Sequence, residues 1–240
     1  MSPAPPILEF RAARLARTDG YDQGLFDASF ALAAGELALI RLEPPAFRLP
    51  LADAAAGLAV PTRGQVLFDG VDWSARTHHR AADARAGIGR AFDHTSASAW
   101  LSDRSLEDNL LLAPLHHTRR KPDEIRAEAC GLARVFGLPG LPRFTPDRGL
   151  EADLRRAGCV RAFLGAPRLI ILERPTTNVG IALLAPIINS VNRARERGAA
   201  VLWTTTDSSV FDEPAIHPTL RGRMSGSQLL IRPAETAAET

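Results

Sequence analysis

Lysine is almost absent from this chain of 240 residues. Lys121 is the only one, so nearly all of the basic residues are arginines. The basic and acidic residues nearly balance, which leaves a net charge of +2. Such a balance gives no strong electrostatic reason to expect binding to nucleic acid or to an anionic membrane surface. We therefore expect no nucleic acid among the partners of this chain.

Long hydrophobic runs and paired cysteines are missing as well. No apolar run approaches the roughly 20 residues that a transmembrane helix needs, so we expect no direct insertion into a membrane. The first six residues lack the basic and apolar regions of a signal peptide. Cys130 and Cys159 are isolated in helical-looking stretches, which argues against a disulfide or a metal site. A cytoplasmic location is the resulting expectation.

A short apolar run is the feature around which the remaining sequence is organised. Leu169 to Leu172 is enclosed by Pro167 and Pro175, which predicts a fully buried parallel strand. The pair Glu173-Arg174 follows this strand, at the end of a parallel sheet where ligands usually bind. Charges at a buried position cost desolvation energy and therefore indicate a function. The alternative is an ordinary strand end, with Glu173 in a turn and Arg174 solvated.

Hydrophobic periodicity predicts an α/β protein with an antiparallel β start, a parallel α/β body and a helical insert. Strands are predicted at about 7–15, 25–32, 37–40, 65–68, 88–92, 169–172, 199–205, 219–224 and 228–232. Helices are predicted at about 51–58, 74–86, 105–110, 122–136, 150–164 and 181–197. The two His-His pairs, at 78–79 and 116–117, lack ligand spacing and are expected on the surface.

Six phrases resemble, in order and in spacing, the nucleotide-binding domain of ABC transporters, the ATP-binding cassette. They are Ala34–Leu37, Ala56–Leu58, Gly64–Gly70, Ser105–Leu110, Pro167–Thr176 and Val201–Asp207. The resemblance implies a P-loop NTPase-like ABC ATPase fold with an antiparallel β subdomain and a helical insert. It implies one domain over residues 1–240, with a helical subdomain at about 95–165. The segment 99–106 resembles most the branch that serves lipid-trafficking transporters of the Mla/MCE type.

In this family, the loop after the third strand cradles the phosphates of ATP with backbone N–H groups, a lysine and a hydroxyl that binds Mg²⁺. The aligned residues here are Glu43, Pro44, Pro45, Ala46, Phe47, Arg48, Leu49, Pro50 and Leu51. Leu49 replaces the lysine, Pro50 replaces the hydroxyl, and prolines have no N–H to donate. Lys121 is too distant along the chain to substitute. We therefore expect no cofactor, although the family uses ATP and Mg²⁺.

The other family motifs are replaced independently. Asp93 stands at the glutamine that senses Mg²⁺, and Thr206 stands at the switch histidine. Glu173 replaces the Mg²⁺-side aspartate, and Arg174 replaces the glutamate that would polarise water. The signature motif reads Leu150, Glu151, Ala152 and Asp153. These replacements predict that no catalytic, cofactor-binding or metal site is intact.

The same replacements predict new charge pairs and a changed role. We expect Arg174 and Arg48 to pair with Glu43, Asp93 or Glu173 in place of ligand charges. The expected function is that of a pseudo-ATPase, a structural or regulatory part of a membrane transport system of the lipid type. The implied partners are a membrane permease subunit and another ABC ATPase subunit, at the inner face of the cytoplasmic membrane.

Two alternatives remain open from the residues alone. One is a low-activity ABC-type ATPase that energises transport through an atypical site, which an ATPase assay with Arg174→Glu as comparison would detect. The other is an unrelated α/β domain with accidental matches.

Among side chains outside these motifs, Trp100 and Trp203 are expected to serve packing. The arginine pairs at 119–120 and 155–156 are expected on solvated faces.

Overall fold

The computed structural model of the chain describes residues 4–44, 48–93 and 99–234, and leaves out the side chain of Ile181. The fold divides into two compact units, one comprising residues 1–81 and 200–240 and the other residues 82–199. Within the described part of the chain, no helix is both long and apolar enough to cross a membrane.

The first unit is built mainly of strands. They are β1 (Leu8–Leu15), β2 (Leu25–Leu32), β3 (Leu37–Leu42), β4 (Arg63–Phe68), β5 (Val71–Asp72), β8 (Ala200–Thr205), β9 (Leu220–Ser225) and β10 (Gln228–Pro233). Helices α1 (Leu51–Ala55) and α7 (Ser208–Phe211) belong to the same unit. The strand order is β5-β4-β1-β2-β10-β9-β3-β8. Strand β1 pairs antiparallel with β2 and β4, which confirms the predicted antiparallel start.

Strand β3 lies between β8 and β9 and runs parallel to both. Its residues from Leu37 to Ile40 are fully buried, as expected for a parallel strand that is covered on both faces. Strands β9 and β10 form a hairpin in which Arg221 faces Arg232 and Arg223 faces Leu230.

The inner face of this hairpin is closely packed. A Cβ atom on Gly222 would lie 3.1 Å from Ile40 Cγ1 and 3.4 Å from Leu229 Cδ1. Because side chains alternate along a strand, Arg221 and Arg223 lie on the face opposite to their neighbour Gly222. The hairpin therefore presents its arginines away from the packed side.

The second unit carries the helices. Its elements are β6 (Ile88–Ala91), α3 (Leu106–His117), α4 (Pro122–Val135), α5 (Glu151–Phe163), β7 (Leu169–Glu173) and α6 (Leu184–Glu196). Strands β6 and β7 pair in parallel, and α5 packs on both. A Cβ atom on Gly89 would lie 1.9 Å from the carbonyl oxygen of Ala162, so only glycine permits this approach of β6 to α5. The helices α3 to α5 confirm the predicted helical insert.

Most predicted elements are confirmed, with differences at their ends. The predicted helix at 74–86 is instead a 3₁₀ turn at Trp73–Ala75 followed by α2 (His78–Arg85), which spans the chain position where the first unit gives way to the second. The side chain of Asp72 accepts a hydrogen bond from Ser74 N at 3.0 Å and stabilises that separate turn. The predicted helix at 181–197 likewise begins with a 3₁₀ turn at Ile181–Leu183. Trp100 and Trp203 are buried, which confirms their packing role.

Candidate functional site

The carboxyl end of β7 carries a pair of opposite charges in which the carboxylate is buried and the guanidinium is partly buried. Arg174 Nε donates to Asp93 Oδ1 at 2.8 Å, and Arg174 Nη2 donates to the other carboxylate oxygen of Asp93. Arg155 Nη1 lies 3.9 Å from Asp93 Oδ1 and donates to the carbonyl oxygen of Arg174 at 3.4 Å. The side chain of Asp93 is only 7% exposed and that of Arg174 17%. The predicted pairing of Arg174 with Asp93 is confirmed.

A second matched pair lies beside the first. Arg90 Nε donates to Glu173 Oε1 at 2.6 Å, and the Arg90 guanidinium also stacks on the Phe92 ring, 4.2 Å from its centroid. Glu173 therefore binds an arginine of the neighbouring strand β6. Glu173, like Asp93, therefore forms an ion pair with an arginine.

Arg161 of α5 completes the cationic side of this cluster. Its guanidinium lies over the rings of Phe92 and Trp100, 4.7 and 4.0 Å from their centroids, and donates to the carbonyl oxygen of Ala99 at 2.7 Å. Burial, with a smaller contribution from the nearby Arg90, lowers the pKa of Arg161 to about 10. Arg161 is still charged at neutral pH and adds a positive charge to the two pairs.

The backbone at this strand end is held in an uncommon conformation. Arg174 has φ of +45°, in the left-handed region that side chains with a Cβ atom rarely adopt. Such a residue costs about 1–2 kcal/mol, and the double hydrogen bond to Asp93 offsets part of that cost. A guanidinium remains protonated and has no acceptor atom, so residue 174 cannot take a proton from water.

The burial of Arg155 corrects the expectation that it lies on a solvated face. Arg155 is 8% exposed because α5 is covered nearly all round, from Leu154 to Phe163. Glu151 and Arg155 are one helical turn apart in the sequence, a spacing that favours contact between their side chains. These side chains lie 3.7 Å apart in the structure. The arginines at 119 and 120 are exposed, as predicted.

The start of α5 is acidic, as the sequence predicts. Leu150 caps the helix without a side-chain hydrogen bond and is 73% exposed. Glu151 Oε1 accepts from Asn178 Nδ2 at 2.9 Å, and Asp153 Oδ1 accepts from Arg156 Nη1 at 2.9 Å. Between them lies the half-buried Ala152. Carboxylates in the first turn already complement the positive end of the helix dipole.

The segment that aligns with the phosphate-binding loop, residues 43–51, lies in the first unit and follows β3. Glu43 N donates to the carbonyl oxygen of Met224 at 2.9 Å. Arg48 N donates to Asp22 Oδ2 at 2.8 Å, and the carbonyl oxygen of Arg48 accepts from Asp22 N at 2.8 Å. Glu43 Oε1 lies 3.6 Å from Arg223 Nη1. The expected pair of Glu43 and Arg48 is therefore wrong, because β9 brings Arg223 to Glu43 and the loop directs the backbone of Arg48 to Asp22.

The remaining described residues of this segment are apolar or lack an N–H. Pro44 is exposed, Leu49 is buried in the place of the lysine, and Pro50 is buried just before α1 begins at Leu51. Helix α1 has only five residues and no side-chain cap at Pro50. The predicted positions Pro45, Ala46 and Phe47 lie outside the described residues.

The end of β8 leads into the short helix α7 through Thr206 and Asp207. Thr206 is half-buried, and Asp207 caps α7 by accepting from Ser209 N at 2.8 Å and from Ser209 Oγ at 2.7 Å. These hydrogen bonds lower the pKa of Asp207. The four paired histidines are exposed, as expected. Over the described ranges, no group of three or more His, Cys, Asp and Glu residues is arranged to hold a metal ion.

Comparisons with known proteins were made for the whole chain. No protein-family model matches the sequence. The cell division ATP-binding protein FtsE of Escherichia coli K12 is 26% identical over 193 residues, which cover 80% of this chain and 85% of FtsE. FtsE of Shigella flexneri gives the same figures.

Solved structures show the same fold. The dimeric ATP-binding cassette MJ0796 bound to ADP and Pi superposes with a TM-score of 0.77 at 15% identity, over 94% of this chain and 98% of that one. A second dimeric structure of MJ0796, described as a bacterial ABC transporter cassette, gives 0.79 at 16% identity with the same coverage. An ATP-binding subunit of an ABC transporter gives 0.74 at 18% identity, over 95% of this chain and 90% of that one. The predicted fold class is confirmed.

These comparisons correct the expectation that no cofactor belongs to this chain. The relatives in sequence are named ATP-binding proteins, and one neighbour in structure holds ADP and Pi. The expectation was wrong because it judged one loop residue by residue, whereas the likeness extends over most of the chain. The chain is therefore similar in sequence to ATP-binding proteins and has the fold of the ATP-binding cassette.

Proposed function

We propose that this chain is a non-hydrolysing cassette subunit of a membrane transport system, with a structural or regulatory role. The observation that carries the proposal is the pair formed by Arg174 and Asp93. A cation stands where the family requires a base for the attacking water, and both nearby carboxylates are bound to arginines. Hydrolysis needs the opposite charge at this position.

The segment from Glu43 to Leu51 supports the same proposal. Its described residues differ from the family's pattern, because Pro44 and Pro50 lack an N–H and the N–H of Arg48 donates to Asp22. A buried Leu49 cannot neutralise phosphate charge. The proposal concerns hydrolysis alone, and ATP with Mg²⁺, the ligand of the family, is the nucleotide against which it is tested.

The family relationship supplies the setting of the proposed role. One relative in fold is a dimeric cassette, so we propose a second cassette subunit and a membrane permease as partners, at the inner face of the cytoplasmic membrane. The whole chain, 1–240, would act as a single cassette. The resemblance of the segment 99–106 supports transport of the lipid type.

The test is ATP turnover by the purified chain, with Arg174→Ala prepared in parallel as the matched control. We expect phosphate release from Mg-ATP to stay at the background level for both proteins, because Arg174 cannot act as a base and its removal does not supply one. Binding of a fluorescent ATP analogue is measured separately, so that affinity and hydrolysis are judged independently. Turnover that is present in the natural chain and lost in Arg174→Ala would favour the low-activity ATPase instead.

A second pair of variants tests whether charge matching accounts for the residues present at positions 93 and 174. Arg174→Glu alone places a carboxylate against Asp93, so it is combined with Asp93→Gln, which supplies the residue type of the family at both positions. We expect the double variant to fold better than Arg174→Glu, because two facing carboxylates repel. Equal thermal stability of the two variants would contradict the charge pair as the reason for the present residues.

A further inference from the structure

A cavity of about 610 Å³ lies on the first unit, between α7 and the hairpin of β9 and β10. Its polar lining consists of three arginines, Arg221, Arg223 and Arg232. Its apolar lining includes Phe211 and Leu230. This volume is within the range of sites that hold small organic molecules.

The arginines are placed where like charges are unfavourable. Arg221 and Arg232 are directly opposite each other on neighbouring strands, and Arg223 lies two residues from Arg221 on the same face. Like charges in directly opposite positions destabilise an antiparallel pair. A bound anion would remove this repulsion.

The acidic groups of the described residues do not balance the three cations. Glu43 Oε1 lies 3.6 Å from Arg223, which is beyond the distance of a charge-assisted hydrogen bond. Arg221 donates to the carbonyl oxygen of Phe211, a neutral acceptor. For Arg232, the described part of the chain supplies no ion pair. Among the residues that the structure describes, the three guanidinium groups therefore have one distant carboxylate as an ion-pair partner.

The apolar side of the cavity contains an exposed leucine. Leu230 is 64% exposed, although its neighbours on β10 pack against Gly222. The Phe211 ring is covered by the guanidinium groups of Arg221 and Arg223, 5.1 and 5.3 Å from its centroid. Phe211 thereby fixes two of the cations in position, and Leu230 is left to contact an apolar group.

We propose that this cavity binds a phosphate monoester that carries an apolar chain. A phosphate monoester has a charge of roughly −1.5 to −2 at neutral pH, which suits three arginines better than a single carboxylate does. The forked guanidinium groups match phosphate oxygens, and the chain of the ligand covers Leu230. This inference does not depend on the proposed function, because it concerns neither ATP nor hydrolysis.

The experiment measures binding of octyl phosphate, below its micelle concentration, by calorimetry with the full chain. We expect a Kd on the order of 0.1 mM or tighter, and weaker binding of inorganic phosphate, which lacks the chain. Arg232→Gln should weaken octyl phosphate at least tenfold, and Leu230→Thr should reduce the preference over inorganic phosphate. Arg17→Gln, an exposed arginine of the same unit, is the control for the change in net charge.

Vesicles of phosphatidylcholine with phosphatidic acid distinguish the two sources of this chemistry. Octyl phosphate binding together with vesicle binding would identify a lipid headgroup as the ligand, and octyl phosphate binding alone would identify a soluble metabolite. Vesicle binding without octyl phosphate binding would overturn the proposal, as would an equal loss in Arg17→Gln. Inorganic phosphate that binds as tightly as octyl phosphate would overturn the apolar part of the site.

Discussion

Two groups of arginines in this molecule have opposite surroundings. At the end of β7, Arg90 is buried and Arg174 is partly buried, and each is matched by a carboxylate at hydrogen-bonding distance. On the hairpin of β9 and β10, Arg221 and Arg232 are opposite each other with no matching carboxylate among the described residues. The first group has the character of a structural element, and the second that of a ligand site.

The difference predicts how mutations in the two groups of arginines change the stability of the protein. A buried charge pair is stabilising only when it is intact, because removal of one partner leaves an unpaired charge without solvent. An exposed group of like charges is mildly destabilising until a counterion binds. Mutations should therefore have large effects on folding in the first group and small effects of the opposite sign in the second.

The largest expected effect is that of Asp93→Ala. The substitution removes the buried carboxylate that faces Arg174 and Arg155, and we expect the free energy of unfolding to fall by about 3–5 kcal/mol. Urea denaturation followed by circular dichroism measures this change. Asp153→Ala is the matched control, since its pair with Arg156 is about 30% exposed and should cost less than about 1 kcal/mol. Equal losses in the two variants would break the comparison.

An intermediate effect is expected on the reactivity of the two cysteines, Cys130 and Cys159, toward iodoacetamide. Cys159 is fully buried on α5, one helical turn after Arg155, and burial raises the pKa of its thiol to about 12. At pH 8 only about 10⁻⁴ of this thiol is the reactive thiolate. Iodoacetamide should therefore modify the partly exposed Cys130 and spare Cys159 in the native state. In Asp93→Ala, Cys159 should become reactive if the cluster holds this region closed.

The smallest effect is expected in the hairpin. Arg232→Thr removes one of two facing cations and should raise the free energy of unfolding by roughly 0.5 kcal/mol at low ionic strength. The gain should disappear in 1 M salt, where the Debye length falls to about 3 Å. Thermal unfolding at the two salt concentrations measures it. A loss of stability at low salt would show that Arg232 supports the fold, which would remove the contrast with the buried group.

Much of the fold and part of the site could be predicted from the sequence. The run Leu169–Leu172 and its flanking prolines define a buried strand by local pattern alone. Arg174 and Asp93 follow two parallel strands, so their meeting follows from the way parallel strands end at one edge. The burial of α5 on nearly all sides could not be predicted, because the burial of Arg155 depends on helices and strands that are distant in sequence.

The wrong pairing of Glu43 has a similar cause. The contact with Arg223 depends on β9 lying beside β3, a neighbour relationship that joins residues about 180 positions apart. The facing arginines of the hairpin depend on its register, which a single residue more or less in the turn would change. Local composition does not contain this information, and the expectation that no cofactor belongs to the chain likewise rested on a loop considered in isolation.

The left-handed backbone of Arg174 has a consequence for the substitutions that this position tolerates. A single replacement of Arg174 by an acid would keep the unfavourable dihedral angle, lose the bond that offsets it and set two negative groups against each other. Asp93 must change at the same time for an acid to be tolerated. The two positions are thus energetically coupled: a change of Arg174 alone to an acid gives a less stable protein than a change of both residues.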